Sequence, residues 1–202
     1  MSAIADQYRK KTGNLFVVSG PSAVGKGTIC RELLKRYADI VYSVSATTRK
    51  AREGEVNGKD YFFYEEAEFL RRVGEDLFLE WARVYENYYG TPREFVEEIT
   101  ASSKDCLLEI DVQGAMQVKA QKPDGIFIFI VPPSKEELIR RINCRGTEGQ
   151  EEIARRMQKA DEELALLPQY DYMVVNDDLC KAVELILSII QAERARVEKS
   201  AL

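Results

Sequence analysis

Lys26 ends the stretch Gly20-Pro21-Ser22-Ala23-Val24-Gly25-Lys26, Gly27 and Thr28 follow it, and the apolar run Leu15-Phe16-Val17-Val18 leads into it. A strand that feeds a glycine-rich turn and then a lysine is suited to holding a polyphosphate. Gly20 and Gly25 let several backbone N–H groups converge on phosphate oxygens and let the chain approach closely. Lys26 can reach the outer phosphates. The helix expected to start near Lys26 presents its unpaired N–H groups and the positive end of its dipole to the same anion. The common form of this pattern has Ser or Thr directly after the lysine. Here Gly27 intervenes and the hydroxyl arrives with Thr28, which could reach a magnesium ion. Packing alone would explain a strand, a turn and a helix, but not a lysine at that spacing.

The chain has no histidine, the commonest general base at neutral pH, so its chemistry must rest on positioning, electrostatics or carboxylates. Phosphoryl transfer meets that constraint. Cys30, Cys106, Cys144 and Cys180 are far apart, form no CxxC pair and have no histidine to complete a zinc set, so they read as reduced thiols. A formal net charge of -5 argues against broad binding to nucleic acid or to an acidic membrane surface, which attract basic proteins. Any phosphate site must therefore be local. Residues 1–11 lack the apolar core of a signal peptide, and the longest later apolar run, Ile126–Val131, has the length of a buried strand. A cytosolic, cytoplasmic protein is expected, with no membrane segment and no obligatory protein partner.

The elements that must position these residues alternate. Leu15–Ser19 reads as a strand, Lys26 to about Tyr37 as a helix, Cys106–Ile110 as a strand and Val112–Lys122 as a helix. Ile126–Val131 and Tyr172–Val175 read as further strands. Ser134–Cys144 reads as a helix with Ser134 at its N-cap and Glu137 three residues on. The helix Leu179–Glu198 carries Val183, Ile186, Leu187 and Ile190 at helical spacing, a stripe that should cover one sheet face. This order predicts an α/β fold with a parallel sheet. The 202 residues, 45% hydrophobic and 31% charged, suit one globular domain with insertions. Two segments break the rhythm. Ser45 to Glu98 holds Tyr61-Phe62-Phe63-Tyr64, Leu79-Glu80-Trp81 and Tyr88-Tyr89-Gly90, which suggests a small separate sheet with a helix near Glu65–Val73. Arg141 to Arg156 contains Arg145-Gly146-Thr147-Glu148-Gly149, a polar, glycine-hinged excursion of the kind that closes over a nucleotide.

The stretch Gly20–Thr28, with Ser43-Val44-Ser45-Ala46-Thr47-Thr48-Arg49, Gly54-Glu55-Val56-Asn57-Gly58-Lys59-Asp60-Tyr61, Asn87-Tyr88-Tyr89-Gly90-Thr91, Ile110-Asp111-Val112-Gln113-Gly114, Arg145-Gly146-Thr147-Glu148 and Val175-Asn176-Asp177-Asp178, resembles the guanylate kinase family. The resemblance spans almost the whole chain, with the motifs in the family's order. It implies a P-loop kinase fold with a five-stranded parallel core sheet flanked by helices, a small GMP-binding α+β insertion and a lid. The core would take residues of about 13–44, 99–140 and 157–202, the insertion about 45–98 and the lid about 141–156. The implied reaction converts ATP and GMP to ADP and GDP with magnesium. Three positions depart from the family pattern. Ala23 stands where glycine is usual, Ala51 where proline often precedes the second arginine, and Glu109 where some members have aspartate. Ala23 would matter only if its backbone needs a positive φ.

The same resemblance assigns the ATP side to Gly20, Pro21, Ser22, Ala23, Val24, Gly25, Lys26, Gly27, Thr28, Arg141, Arg145 and Asn176. Asn176, with Asp177 and Asp178, could equally be a turn that caps the next helix. For GMP it implies Ser45, Arg49, Arg52, Tyr61, Glu80, Tyr89, Thr91 and Asp111. Two guanidinium groups can each donate paired hydrogen bonds to a phosphate, and tyrosine hydroxyls add neutral donors. Guanine presents N1–H and an exocyclic amine, which one carboxylate can accept together, whereas adenine has no N1–H to offer. Glu80 would be that carboxylate. Lys26, Arg49, Arg145 and Arg156 would act on the transferring group. Thr28 would hold magnesium directly or through water, and Asp111 would serve the base, the magnesium waters or both. A kinase for another nucleoside monophosphate, a non-catalytic interaction module of the same family and a P-loop GTPase are the competing readings. Glu80 with Ser45 opposes the first, the intact Gly25-Lys26 and the absence of an attached interaction domain oppose the second, and the lack of an Asn-Lys-x-Asp motif opposes the third.

Overall fold

The computed structural model describes residues 11–143 and 150–197, without the side chains of 150–152. Arg145, Cys144 and the rest of the segment 144–149 lie outside the described residues. Five strands, β1 (Leu15–Ser19), β2 (Ile40–Tyr42), β7 (Asp105–Glu109), β8 (Ile126–Val131) and β9 (Tyr172–Val175), form a sheet in the order β2-β7-β1-β8-β9. Every pair in it is parallel. Strand β8 is apolar throughout, and β1 and β7 are apolar except at their ends (Ser19, Asp105 and Glu109), because both faces of the sheet are covered. Side chains alternate along β1. Phe16 and Val18 meet Ile128, Ile130, Ile29, Leu33, Leu138, Ile186 and Ile190 on one face, and Leu15 and Val17 meet Leu108, Val118, Val96 and Phe127 on the other.

The first face is covered by α1 (Lys26–Arg36), α5 (Lys135–Asn143) and α7 (Leu179–Arg194), and the second by α3 (Arg93–Ala101) and α4 (Val112–Gln121). The apolar stripe expected along α7 is present, with Val183, Ile186 and Ile190 in the core. That helix ends at Arg194, four residues before the expected Glu198, with Ala195 as its C-cap. At α5 the Ser134 hydroxyl accepts from the Glu137 amide at 3.2 Å, while the Glu137 carboxylate takes Arg140 and Arg141. Among the described residues no helix is long and apolar enough to cross a membrane.

A second, four-stranded sheet lies within the first interrupting segment. Its strands β3 (Ala46–Thr47), β4 (Phe62–Phe63), β5 (Phe78–Val84) and β6 (Asn87–Pro92) are ordered β4-β3-β6-β5. Helix α2 (Glu66–Gly74) packs on it through Phe69, whose ring stacks on Phe78 at 4.5 Å and on Tyr88 at 5.6 Å. Helix α6 (Gln150–Leu164) follows the undescribed segment and lays Ile153, Met157 and Ala160 against the main core.

Candidate active site

The turn after β1 uses three positive φ angles, 144° at Gly20, 66° at Ala23 and 96° at Gly25. At Gly20 a Cβ would stand 2.3 Å from the Ile130 carbonyl oxygen, and at Gly25, the N-cap of α1, one would stand 2.5 Å from Asn176 Nδ2. Neither position admits a side chain. Ala23, standing where glycine is usual in the family it resembles, does take the left-handed conformation. That costs about 1–2 kcal/mol for a residue with a Cβ, offset in part because its methyl is buried. Gly27 also has a local reason, since a Cβ there would come within 3.2 Å of Glu109 Oε1. The hydroxyl therefore falls to Thr28, which is exposed and accepts from Arg31 at 3.3 Å.

Lys26 folds back over this loop. Its Nζ donates to the carbonyls of Gly20 at 2.6 Å and Pro21 at 3.1 Å. Burial lowers its pKa, and the charges of Glu109, Glu163 and Asp111 pull the other way. Glu109, at the end of β7, accepts from the Tyr42 hydroxyl at 3.0 Å, and burial raises the pKa of that tyrosine with Glu109 adding to the shift. Glu163 on α6 is a buried carboxylate whose pKa desolvation raises, with Lys159 at 3.8 Å and the Lys26 charge opposing it.

On the other side of the loop, the Asn176 side chain donates to the Val24 carbonyl at 2.7 Å. Arg141 in the last turn of α5 adds a bond to Val24 O at 3.3 Å and one to Asn176 O at 3.0 Å, and Glu137 holds its Nε at 2.7 Å. Asp178 supplies the N-cap of α7, accepting from the Lys181 amide at 3.0 Å. The two readings of the Asn-Asp turn thus fall on different residues. Asp178 caps the helix and Asn176 ties down the phosphate loop.

The second sheet brings Arg49, Tyr61 and Tyr89 together. The tyrosine rings meet edge-on at 6.2 Å, and the Arg49 guanidinium lies 5.5 Å from the Tyr61 centroid. Arg49 forms a two-pronged pair with Glu55 at 3.0 and 2.9 Å, and the Arg52 amide donates to the same carboxylate at 2.7 Å. These bonds hold Glu55 down at about 2 and raise the Arg49 value, to which Tyr89 contributes. Ser45, half-buried, comes just before β3, its carbonyl bonded by the Phe62 amide at 2.9 Å.

Glu80 on β5 is 9% exposed. Buried Thr91 on β6 donates to its Oε1 at 2.6 Å. Its Oε2 lies against Gly114, where a Cβ would come within 3.0 Å, so glycine at that place in α4 leaves room for the carboxylate. Asp111, the N-cap of α4, accepts from the Gly114 amide at 2.8 Å. Burial raises Glu80 to about 7, with Thr91 opposing and Asp111 adding to the shift.

Glu55 and Glu163 were not singled out by sequence reasoning. A carboxylate between arginines reads as solvated charge, and the signal for Glu163 is only its position seven residues after Arg156 on a helix whose intervening Ala160 is buried. Arg156 itself is half-buried on α6. The four-carbon ammonium of Lys26, the fork of Arg49 and the buried Glu80 together make a surface that can bind two phosphate groups and a polar base.

A parallel sheet with a glycine-rich loop and a lysine after its central strand, and a small second sheet bearing arginine, tyrosine and a buried carboxylate, defines a P-loop kinase of the α/β class. The sequence model of the family described as guanylate kinase matches residues 12–193. The chain is 55% identical to the guanylate kinase of Caldanaerobacter subterraneus subsp. tengcongensis over 95% of its length and 93% of the relative's. It is 52% identical to that of Symbiobacterium thermophilum, over 95% of this chain and 90% of the other. The crystal structure of guanylate kinase from Anaplasma phagocytophilum superposes with a TM-score of 0.71 at 37% identity, covering 93% of this chain and 89% of that one. The chain belongs to the guanylate kinase family.

Proposed function

We propose that this protein transfers the γ-phosphoryl group of ATP to GMP, giving ADP and GDP. The observation that carries this reading is the buried Glu80 carboxylate, bonded to Thr91 and sharing Asp111 as a neighbouring charge with the lysine of the phosphate loop. Guanine offers two adjacent donors to such a carboxylate, and its burial means that only a ligand supplying those donors makes up for the desolvation. Ser45 and Asp111 complete the base side.

ATP binds through the amides of Gly20 to Thr28 and through Lys26, whose ammonium exchanges loop carbonyls for phosphate oxygens. Arg141 and Asn176 border the adenine side and keep the loop in shape. Arg49, Arg52, Tyr61 and Tyr89 bind the GMP phosphate, which takes the guanidinium fork that Glu55 fills. An oxygen of that phosphate, already ionised, attacks the γ-phosphorus in line with the departing ADP oxygen, and no base has to remove a proton. A chain without histidine can therefore perform the step. Lys26, Arg145 and Arg156 neutralise the charge that spreads over the equatorial oxygens.

Thr28 and Asp111 are hard oxygen donors of the kind magnesium accepts. Among the described residues no group of three or more acidic or cysteine side chains could hold a metal by itself. These two would share the ion with nucleotide phosphates and water. Magnesium would supply charge neutralisation on the nucleotide phosphates. In this reading residues of about 45–98 carry GMP, about 141–156 form the lid, and the remainder is the core. A coupled assay with ATP and each of GMP, AMP, CMP and UMP tests the function. GMP should be used far better than the others, and equal use of AMP would overturn the assignment of Glu80.

A further inference from the structure

Strand β5 is an edge of the second sheet, so among the described residues one side of its backbone has no strand partner. At Trp81 that role falls to an exposed side chain of α4. Gln117 on α4 accepts from the Trp81 amide through Oε1 at 3.1 Å and donates through Nε2 to the Trp81 carbonyl at 3.3 Å. A primary amide has one acceptor and one donor end, and both are used on a single peptide residue, as a neighbouring strand would use them.

The place of this clamp matters because Trp81 directly follows Glu80. The pairing of β5 with β6 shifts register between Phe78 and Glu80. Such bulges bend a strand and re-aim its side chains, and Glu80, opposite Thr91, is the first residue paired in register after this one. Gln117 fixes the strand immediately after the irregularity. It does so from the helix whose first turn faces the Glu80 carboxylate, since Asp111, Gly114 and Gln117 follow at intervals of three. A carboxylate that must meet two donors of one base at once tolerates little displacement, because hydrogen bonds weaken steeply with distance and angle.

We infer that Gln117 is a positioning residue for guanine recognition: its amide ties the Trp81 peptide to α4 and so holds the Glu80 carboxylate over Gly114. The inference rests on the reading of Glu80 as the base-binding group. It concerns a side chain whose two bonds go to the Trp81 backbone.

The test replaces Gln117 with Leu, which keeps size and removes both bonds, and with Met as a second apolar variant should Leu fail to fold. Melting curves establish that each is native at the assay temperature. Losing two hydrogen bonds that reach Glu80 through the adjoining Trp81 peptide should raise KM for GMP about tenfold, with kcat at saturating GMP and Kd for ATP within about twofold of the parent. A loosened pocket also hydrates Glu80, on which Asp111 is the charged group that bears. The acid side of the pH profile of kcat/KM for GMP should therefore move to lower pH, a change that general loss of stability would not produce. A folded variant with the parent's KM for GMP and the parent's pH profile would overturn the inference, as would equal losses for ATP binding and GMP use. Glu80→Gln is measured in parallel. If it leaves GMP use intact, the base-binding reading itself fails; if it abolishes GMP use while Gln117→Leu does not impair it, only the clamp fails.

Discussion

Glu80 faces opposite demands from stability and from recognition. In the folded chain it holds its proton until about 7, against 4.5 for an ordinary glutamate, because burial penalises the charged form. Between those two values the unfolded chain binds fewer protons than the folded one, so stability falls as pH rises from the lower value to the higher and stays reduced above it. The ionised carboxylate thus costs the empty protein about 3 kcal/mol at pH 8. Glu80→Gln keeps an oxygen for the Thr91 hydroxyl and removes the charge. It should stabilise the protein by about 1–3 kcal/mol at pH 8 and give no such gain at pH 4, as denaturant melts at the two pH values would show. The same change sets an amide donor against a guanine donor, so kcat/KM for GMP should fall by the equivalent of about 2–4 kcal/mol while ATP binding is retained. Burial also penalises the charge of Lys26, but its ammonium lies on carbonyl oxygens of the loop. Lys26→Met should fold, with a melting temperature near the parent's, and lose nearly all turnover; near-parental rates would remove Lys26 from the mechanism.

The phosphate loop and α1 form an element whose shape depends on backbone strain and on side chains from distant parts of the chain. Ala23 is the test of the strain. Replacing it with Gly relieves about 1–2 kcal/mol of left-handed strain, but gives up about 0.8 kcal/mol of methyl burial and about 0.4–1 kcal/mol through the freer unfolded chain. These terms nearly cancel, which accounts for alanine being tolerated here. Ala23→Gly should therefore leave stability within about 1 kcal/mol of the parent and leave Kd for ATP unchanged. Ala23→Val puts a β-branched residue at the same φ and should destabilise by more than about 2 kcal/mol and weaken ATP binding. Chemical denaturation and ATP titration separate these outcomes, and equal behaviour of Gly and Val would mean that the positive φ does not constrain the loop.

At the scale of the whole molecule, the proposed reaction draws groups from the two sheets and α6. Water has to be kept from the γ-phosphate, or ATP is hydrolysed, and closure over both substrates would provide that exclusion. Arg156 on α6 and Arg145 in the segment before it are proposed to reach the phosphates in the closed state. An interaction made chiefly in the transition state appears in kcat, whereas one made equally before and during transfer appears in binding. Arg156→Ala and Arg145→Ala should then lower the single-turnover transfer rate by about 10³-fold or more with a much smaller rise in Kd for ATP. A collapse of ATP affinity with an intact transfer rate at saturation would make both arginines simple binding residues.

The phosphate loop and the individual strands of the parallel sheet were legible in the sequence because each is local, and the family because its motifs follow in order along the chain. Gly20, Gly25 and Lys26 act at fixed offsets in one turn, and the apolar runs of β1 and β8 report burial on both faces by their composition. The second sheet was legible as a break in rhythm, with β4 inside the run Tyr61–Tyr64, though the two-residue strand β3 was not, since so short a pairing leaves no periodicity. Tertiary structure alone decided that Asn176 rather than Asp178 ties the loop carbonyl of Val24, a bond between residues 152 positions apart. It likewise decided that Glu55 fills the fork of Arg49, that Ala23 takes a positive φ, and that Gln117 grips the strand beside Glu80. Those facts depend on which polar groups become neighbours once the two sheets and the helices pack, and side-chain hydrogen bonds across such distances leave no pattern in the order of the residues.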